Sequence, residues 1–130
     1  MKYLCLCYYD QEKFDALSAS DLEALGPACR PHDEALRESG RLILVGSLAL
    51  PRSSRTVRPG RGDPSVAEGP FVATSEPLGA FFIIEARDMD EAVEVASKHP
   101  GARLGDYFGG GIEVRPIDLL DQPEPAKHDR

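Results

Sequence analysis

Apolar positions recur along the chain with the spacing of strands and of helices in turn. Apolar and aromatic runs predict strands at residues 2–9, 41–50, 78–86 and 111–116, with a shorter one at 55–58. Both faces of the first strand are apolar, since Tyr3 and Cys5 alternate with Leu4. The strands at 41–50 and 78–86 are apolar on both faces as well. Strands of this kind predict a sheet that is covered on both sides.

A periodic apolar stripe predicts a helix between the first two strands. The stripe repeats every three or four residues and consists of Leu22, Leu25, Cys29, His32 and Leu36. Ser20 followed by Glu23 predicts a capping box at the start, and Gly40 is typical of a helix end. Pro27 and Pro31 remove backbone donors inside this stretch, so a break or kink is expected near Pro27.

A second helix is predicted after the strand at 78–86. Asp88 with Glu91 predicts its N-terminal cap, and Pro100 is expected to stop it. The residues expected to face inward are Met89, Ala92, Val93 and Ala96. Residues 51–67 are rich in proline and glycine and predict an irregular segment. Residues 1–120 are interpreted as one domain, and residues 121–130 as a flexible C-terminal tail.

This order of elements predicts an α+β fold with a ferredoxin-like antiparallel sheet and two helices on one face. Two helices cover only one face of such a sheet, although several strands are apolar on both. The second face therefore needs a partner, and a symmetric homodimer that packs sheet against sheet supplies one.

Charge and cysteine content narrow the class of protein. The net charge is −7, which argues against a nucleic-acid partner because contacts to phosphates supply most of that affinity. No run approaches the roughly 20 apolar residues of a membrane span, and the N-terminus does not resemble a signal peptide. The three cysteines are an odd number and include the closely spaced pair Cys5 and Cys7. This usage predicts a reducing, cytoplasmic location without membrane contact.

Several segments together resemble one protein family. They are MKYLCLCYYD at the N-terminus, EGPF at residues 68–71, TSEPLGAFFIIEARDMDEAVEVAS at 74–97 and IEVRPI at 112–117. Their order and spacing are similar to the YCII-related domain family, in its subgroup named for an Asp-Gly-Pro-Phe signature. The chain departs from that signature at Glu68, which replaces the aspartate.

The resemblance implies a dimeric α/β-barrel arrangement, with a pocket between the sheet and the helices of each protomer. The activity of such proteins is mostly unassigned, and a histidine with an acidic residue is the suspected catalytic pair. Members of the subgroup are often encoded beside extracytoplasmic-function sigma factors, which implies a sigma-factor-linked partner as one alternative.

Two residues are candidates for acid–base catalysis. His32 lies on the apolar stripe, where an imidazole can transfer protons near neutral pH, although a core histidine bonded to a carbonyl fits the pattern too. Glu68 precedes the turn formed by Gly69 and Pro70, which would hold its carboxylate at a pocket mouth. The same turn could simply fix the register of the next strand.

Four further residues are candidate ligand contacts, namely Tyr9, Cys29, Arg55 and Phe71. Arg55 belongs to a group of four arginines between residues 52 and 61, which could bind an anion or pair with the acidic surface of the protein. Cys29 and His32 share a helical face, but no third and fourth metal ligand lies at a useful spacing. No metal and no cofactor are therefore predicted.

Three functions remain open from the sequence. The first is a small enzyme that uses His32 and Glu68 for proton transfer on a small organic molecule. The second is a ligand sensor without chemistry, and the third is an interaction module linked to a sigma factor.

Overall fold

The computed structural model describes residues 1–125, and its central element is a four-stranded antiparallel sheet. In chain order its strands are β1 (Lys2–Tyr8), β2 (Leu42–Ser47), β5 (Leu78–Glu85) and β6 (Gly111–Pro116). They lie side by side in the order β2-β5-β1-β6. Two short strands, β3 (Arg55–Arg58) and β4 (Ser65–Glu68), form a separate antiparallel hairpin.

Two long helices connect the strands of the sheet. The helices are α1 (Gln11–Asp15), α2 (Ala19–Glu38), α3 (Met89–Ala96), α4 (Pro100–Arg103) and α5 (Gly105–Phe108). Because α2 follows β1 and α3 follows β5, sheet strands and long helices follow the predicted β-α-β-β-α-β order. In the part of the chain that the structure describes, no helix combines the length and the apolar character needed to cross a membrane.

One face of the sheet forms the core. The alternation along β1 buries Tyr3, Cys5 and Cys7, which point to the same side. In the neighbouring strand Phe82 lies opposite Cys5 and is fully buried. The helices close this face with side chains that join the same cluster, namely Leu36 of α2 and Ala92, Val95 and Ala96 of α3. Both long helices therefore lie on one face of the sheet, as predicted.

The start of α2 differs from the prediction by two residues. The capping box is formed by Ser18, whose Oγ accepts from the Asp21 N–H at 3.1 Å, while the Asp21 carboxylate accepts from the Ser18 N–H at 2.9 Å. That backbone hydrogen bond lowers the pKa of Asp21. The prediction of Ser20 with Glu23 was wrong because the backbone already turns helical at Ala19. Ser20 thus lies inside the helix.

The helix α2 also runs without a break through Pro27 and Pro31. Both prolines are exposed, so the carbonyl groups that lose their helical partner lie on the solvent side, where water can replace the donor. Gly40, at φ +71°, follows the helix end as predicted.

The N-terminal cap of α3 was predicted correctly. Its buried side chains were predicted correctly only in part. The Asp88 carboxylate accepts from the Glu91 N–H at 2.9 Å. Ala92 and Ala96 are buried, but Met89 and Val93 are exposed, contrary to the prediction. Residues three and four apart share one helical face, so Val95 together with Ala92 and Ala96 forms the buried side of this short helix.

Residues 51–67 are more regular than expected. They contain one 3-10 turn at Pro51–Ser53, the predicted strand β3 and most of the unpredicted strand β4. Of the expected tail, residues 121–125 have no regular secondary structure. Residues 126–130 lie outside the described residues.

Two leucines of α2 test which side of this helix supports the fold. Leu36 is 2% exposed and Leu22 is 50% exposed. Replacing Leu36 by alanine should lower the free energy of unfolding by about 2–5 kcal/mol, because it leaves a cavity in the core. The matched change Leu22→Ala should cost about 0.5 kcal/mol or less. Urea unfolding of both variants measures this, and equal costs would contradict the packing of α2 described above.

Candidate functional site

A cavity of about 370 Å³ lies between the core face of the sheet and the helices. Cys7 and Ala80 contribute the sheet wall, and Cys29 and Asp33 contribute the wall from α2. Pro100, at the start of α4, lines the opposite side. At the rim the apolar side chains of Val45, Leu48 and Leu50 are partly exposed to solvent. The cavity thus has apolar walls, an open mouth and a few polar groups, which is the usual composition of a small-molecule site.

Three aromatic side chains, Tyr9, Phe14 and Phe108, line one end of the cavity. The rings of Tyr9 and Phe14 meet edge to face, with centroids 5.7 Å apart. Tyr9 is held by its hydroxyl, which donates to Gln11 Oε1 at 3.1 Å. Gly79 makes room for this ring, since a Cβ atom there would lie 2.7 Å from the Tyr9 side chain. Burial raises the pKa of Tyr9, and the nearby Asp15 adds to the effect.

His99 lines the cavity from the turn between α3 and α4. Its ring stacks on Phe82, with centroids 4.7 Å apart and an interplanar angle of 4°. Its Nδ1 accepts a hydrogen bond from the Gly101 N–H at 2.9 Å and so caps α4. An Nδ1 that accepts carries no proton, so the proton of the neutral imidazole lies on Nε2. Stacking and capping together fix both the ring and its tautomer.

Burial and one carboxylate set the charge states in the cavity. Burial lowers the pKa of His99, and the negative charge of Asp33 acts in the opposite direction. Burial also raises the pKa of Cys29, again with a contribution from Asp33. Asp33 lines the same cavity as both groups and is itself exposed on α2.

The cysteine thiols are poor nucleophiles in this environment. Burial raises the pKa of Cys7 to about 12, and burial together with the neighbouring Cys7 raises the pKa of Cys5 to about 12. Since the thiolate is the reactive form, protonated thiols line the cavity as weakly polar, inert groups. Besides these thiols, the lining contains the imidazole of His99, the carboxylate of Asp33 and the residues Tyr8, Tyr9 and Ser47, whose side chains carry hydroxyls. Within residues 1–125, no three His, Cys, Asp or Glu side chains are grouped so that they could hold a metal ion.

The residues predicted from the sequence are divided between different places. Tyr9 and Cys29 line the cavity. Arg55 and Phe71 line a second, shallower depression of about 660 Å³ between the hairpin and the end of the sheet. His32 is half-buried on α2 and Glu68 is exposed at the end of β4, and neither lines the cavity or the second depression.

The turn after Glu68 is tied to the hairpin. Gly69 adopts φ +99°, its N–H donates to the Ser54 carbonyl at 2.8 Å, and its own carbonyl accepts from the Thr56 hydroxyl at 2.8 Å. Phe71 is 66% exposed, and the Arg58 guanidinium lies 4.3 Å from its ring centroid. These contacts are those of a turn that fixes strand register.

His99 and Asp33 were missed in the sequence. Two local signals mark them in retrospect. His99 stands directly before Pro100, a residue typical of the first helical position, and so occupies an N-cap. Asp33 follows Cys29 by four residues and shares its side of α2.

The pH dependence of stability tests the environment of His99. Because its pKa is lowered from the ordinary value of 6.5, the unfolded chain binds this proton more readily than the folded protein. Stability should therefore fall as the pH drops below 6.5 and should be recovered above it. Replacing His99 by asparagine, which is also a good N-cap, should flatten this dependence. The control His32→Gln changes a residue outside the cavity and should leave the pH dependence of stability unchanged.

Urea unfolding at a series of pH values, together with an NMR titration of the imidazole protons, measures both effects. An imidazole of His99 that titrates above 6.5 would contradict the buried environment described here.

Comparisons with known proteins place the chain in a family. The model of the YCII-related domain matches residues 1–118. An uncharacterised protein of Rhizobium meliloti (strain 1021) is 31% identical over 124 residues, which cover 95% of this chain and 98% of that protein.

Among solved structures, the chain is similar to 5-chloro-2-hydroxyhydroquinone dehydrochlorinase (TftG) from Burkholderia phenoliruptrix AC1100 in complex with 2,5-dihydroxybenzoquinone. The TM-score is 0.47 at 17% identity, over 91% of this chain and 94% of that one, a similarity too distant to indicate an activity. On the match over residues 1–118 and the relative at 31% identity, the chain belongs to the YCII-related domain family.

Proposed function

We propose that the protein binds a small organic molecule in the cavity between the sheet and the helices, and that His99 and Asp33 transfer protons to and from it. The observation that carries this proposal is that a fixed imidazole and a carboxylate line the same cavity, which is otherwise mostly apolar. A titratable group with a shifted pKa in a concave site, here His99, is a usual mark of acid–base chemistry.

The two groups suit different halves of such a reaction. The neutral imidazole of His99 presents Nε2–H, which can donate a hydrogen bond to a carbonyl or hydroxyl oxygen of the ligand. The Asp33 carboxylate can accept a proton from the ligand and return it at a second position. Such a transfer moves a proton within one molecule and needs no cofactor.

The cavity also supplies the surroundings that this chemistry requires. Its apolar walls surround a bound ligand with few competing polar groups, while the mouth stays open to solvent. Cys7 and Cys29 add polarisable, uncharged surface. The volume of about 370 Å³ lies at the lower end of the range of ligand pockets, which suits a compact molecule.

The proposal extends to the subgroup of the family and to the cellular location of the protein. The segment Glu68 to Phe71 supports membership of the subgroup with the Asp-Gly-Pro-Phe signature, with glutamate in the first position. The three cysteines are free, which supports a reducing, cytoplasmic location.

A homodimer through the open sheet face is a further part of the proposal. On the face opposite the long helices, Leu4 pairs with Ile83 and Leu6 pairs with Phe81 across β1 and β5. Leu44 of β2 extends this apolar surface and is 40% exposed. A contiguous apolar surface of this kind is typical of an interface.

Four matched substitutions test where the chemistry takes place. A thermal-shift and NMR screen of small carbonyl and hydroxyl compounds identifies a ligand, which at about 100 times its Kd should stabilise the protein by about 2.7 kcal/mol. Any turnover of that ligand should fall about 100-fold or more in His99→Asn and in Asp33→Asn, because each removes a proton-transfer group. The controls His32→Gln and Glu68→Gln remove the candidates that lie outside the cavity, and they should retain turnover.

Loss of turnover in the two controls with retention in the cavity variants would move the chemistry to His32 and Glu68. Binding without turnover of any compound would support a sensor. A screen in which no compound shifts the resonances of the cavity residues would sink the proposal.

The oligomeric state has its own test. Sedimentation should give twice the chain mass of 14.1 kDa. Leu44→Lys should dissociate the dimer because it places a charge in the apolar face, whereas Leu119→Lys, at a side chain that is 87% exposed, should not. A wild-type protein that sediments as a monomer would refute the dimer.

A further inference from the structure

The charge of the side chains that line the cavity is negative. Apart from the titratable His99, the cavity lining in the described part of the chain contains one charged side chain, Asp33, and it contains no lysine or arginine. The imidazole adds no positive charge when it is neutral, and burial favours that form by lowering the pKa of His99. The protein as a whole carries a net charge of −7. The electrostatic potential in the cavity therefore opposes an anionic ligand.

Two hydrogen-bond donors of the cavity wall are already engaged within the protein. The Gly101 N–H, which lies in the cavity wall, already donates to His99 Nδ1 at 2.9 Å. The Tyr9 hydroxyl donates to Gln11 Oε1 and so presents its oxygen as an acceptor. An anion entering the cavity would meet the His99 Nε2–H and Ser47, but it would face the Asp33 carboxylate without a cation in the described part of the lining to balance it.

The arginines that suggest anion binding in the sequence lie elsewhere. Arg55 lines the second depression, and the Arg58 guanidinium lies over the exposed ring of Phe71. Neither side chain lines the cavity. Their positive charge is therefore carried by the hairpin, outside the site.

The walls favour a flat ligand. Tyr9, Phe14 and Phe108 form an aromatic end, where stacked or edge-on contacts stabilise a ring. The volume of about 370 Å³ equals that of roughly a dozen water molecules. A single substituted ring fits this space.

We propose that the cavity selects an uncharged, ring-bearing molecule with a carbonyl or hydroxyl oxygen, and that Asp33 discriminates against carboxylate and phosphate analogues of the same shape. This inference rests on the proposed function, since it specifies the ligand of the same cavity. Asp33 acts here as a specificity determinant, in addition to its role in proton transfer.

Pairs of isosteric ligands test this selection. Each pair compares a carboxamide with the carboxylate of the same shape: benzamide with benzoate, p-hydroxybenzamide with p-hydroxybenzoate, and cinnamamide with cinnamate. Binding is followed by NMR on the wild-type protein through the resonances of His99 and Cys29. At least one amide should bind about tenfold more tightly than its carboxylate, a difference of about 1.4 kcal/mol.

Two variants separate the local effect of Asp33 from that of net charge. In Asp33→Asn the preference for the amide should shrink to about threefold or less, because the opposing charge is gone. Glu34→Gln removes the same charge from the next position of α2, outside the cavity, and should leave the tenfold preference unchanged. Both positions are exposed on the helix, so both variants should fold.

Three results would overturn the inference in distinguishable ways. Carboxylates that bind in the cavity as tightly as the amides would refute the selection while leaving the proposed function in place. A preference that survives Asp33→Asn would remove Asp33 as its cause. If no member of any pair perturbed His99 or Cys29, the inference on ring-bearing ligands would fail by itself, while a non-aromatic ligand found in the wider screen would keep the proposed function.

Discussion

The contact of Leu36 with the sheet determines how much space remains beneath α2. Leu36, near the C-terminal end of this 20-residue helix, is its one fully buried side chain. On the other helix, by contrast, Ala92 and Ala96 are small enough to let α3 approach the sheet closely, and Val95 fills the gap between them. The helix α3 is thus packed closely on the sheet, whereas α2 is anchored to it at its C-terminal end. The space that α2 leaves open toward its N-terminus is the cavity.

The small residues of the sheet complete this arrangement. Cys7 and Ala80 lie opposite each other on the core face and occupy little volume, so the sheet does not fill the space from below. Larger side chains at these positions would close the cavity and stabilise the fold at the same time. The packing therefore leaves apolar surface of the sheet uncovered at a place where a ligand can cover it.

Much of the architecture could be predicted from the sequence, because alternation and helical periodicity are local signals. The strand at 111–116, the cap at Asp88 and the helix end at Gly40 were all predicted correctly. The errors arose where two local signals compete. Ser18 and Ser20 both suit an N-cap, and the two prolines weaken α2 without ending it because the rest of the helix continues on both sides of them.

The cavity was harder to predict, because its residues come from separate parts of the chain. The resemblance to a family placed a pocket between sheet and helices, but His99 follows a helix that carried no chemical signal of its own. Cys29 was found because it lies on the periodic stripe of α2, and Tyr9 because the aromatic run of the first strand extends to it, although β1 itself ends at Tyr8. That Asp33 and His99 line one cavity depends on the packing of α2 against α4, a long-range contact that no local pattern encodes. The arginines of the hairpin cluster locally in the sequence, and in the structure Arg55 and Arg58 lie outside the cavity.

The prolines of α2 give the cavity wall a mechanical property of its own. Pro27 and Pro31 deprive the middle of the helix of two backbone hydrogen bonds, and Gly26 adds backbone freedom on the unfolded side of the equilibrium. Cys29 and Asp33 lie in or just after this weakened stretch. The segment that forms the wall should therefore open locally at a lower free energy than the Leu36 end, and its amide hydrogens should exchange faster. Local opening of this stretch would expose the cavity wall while the sheet stays folded.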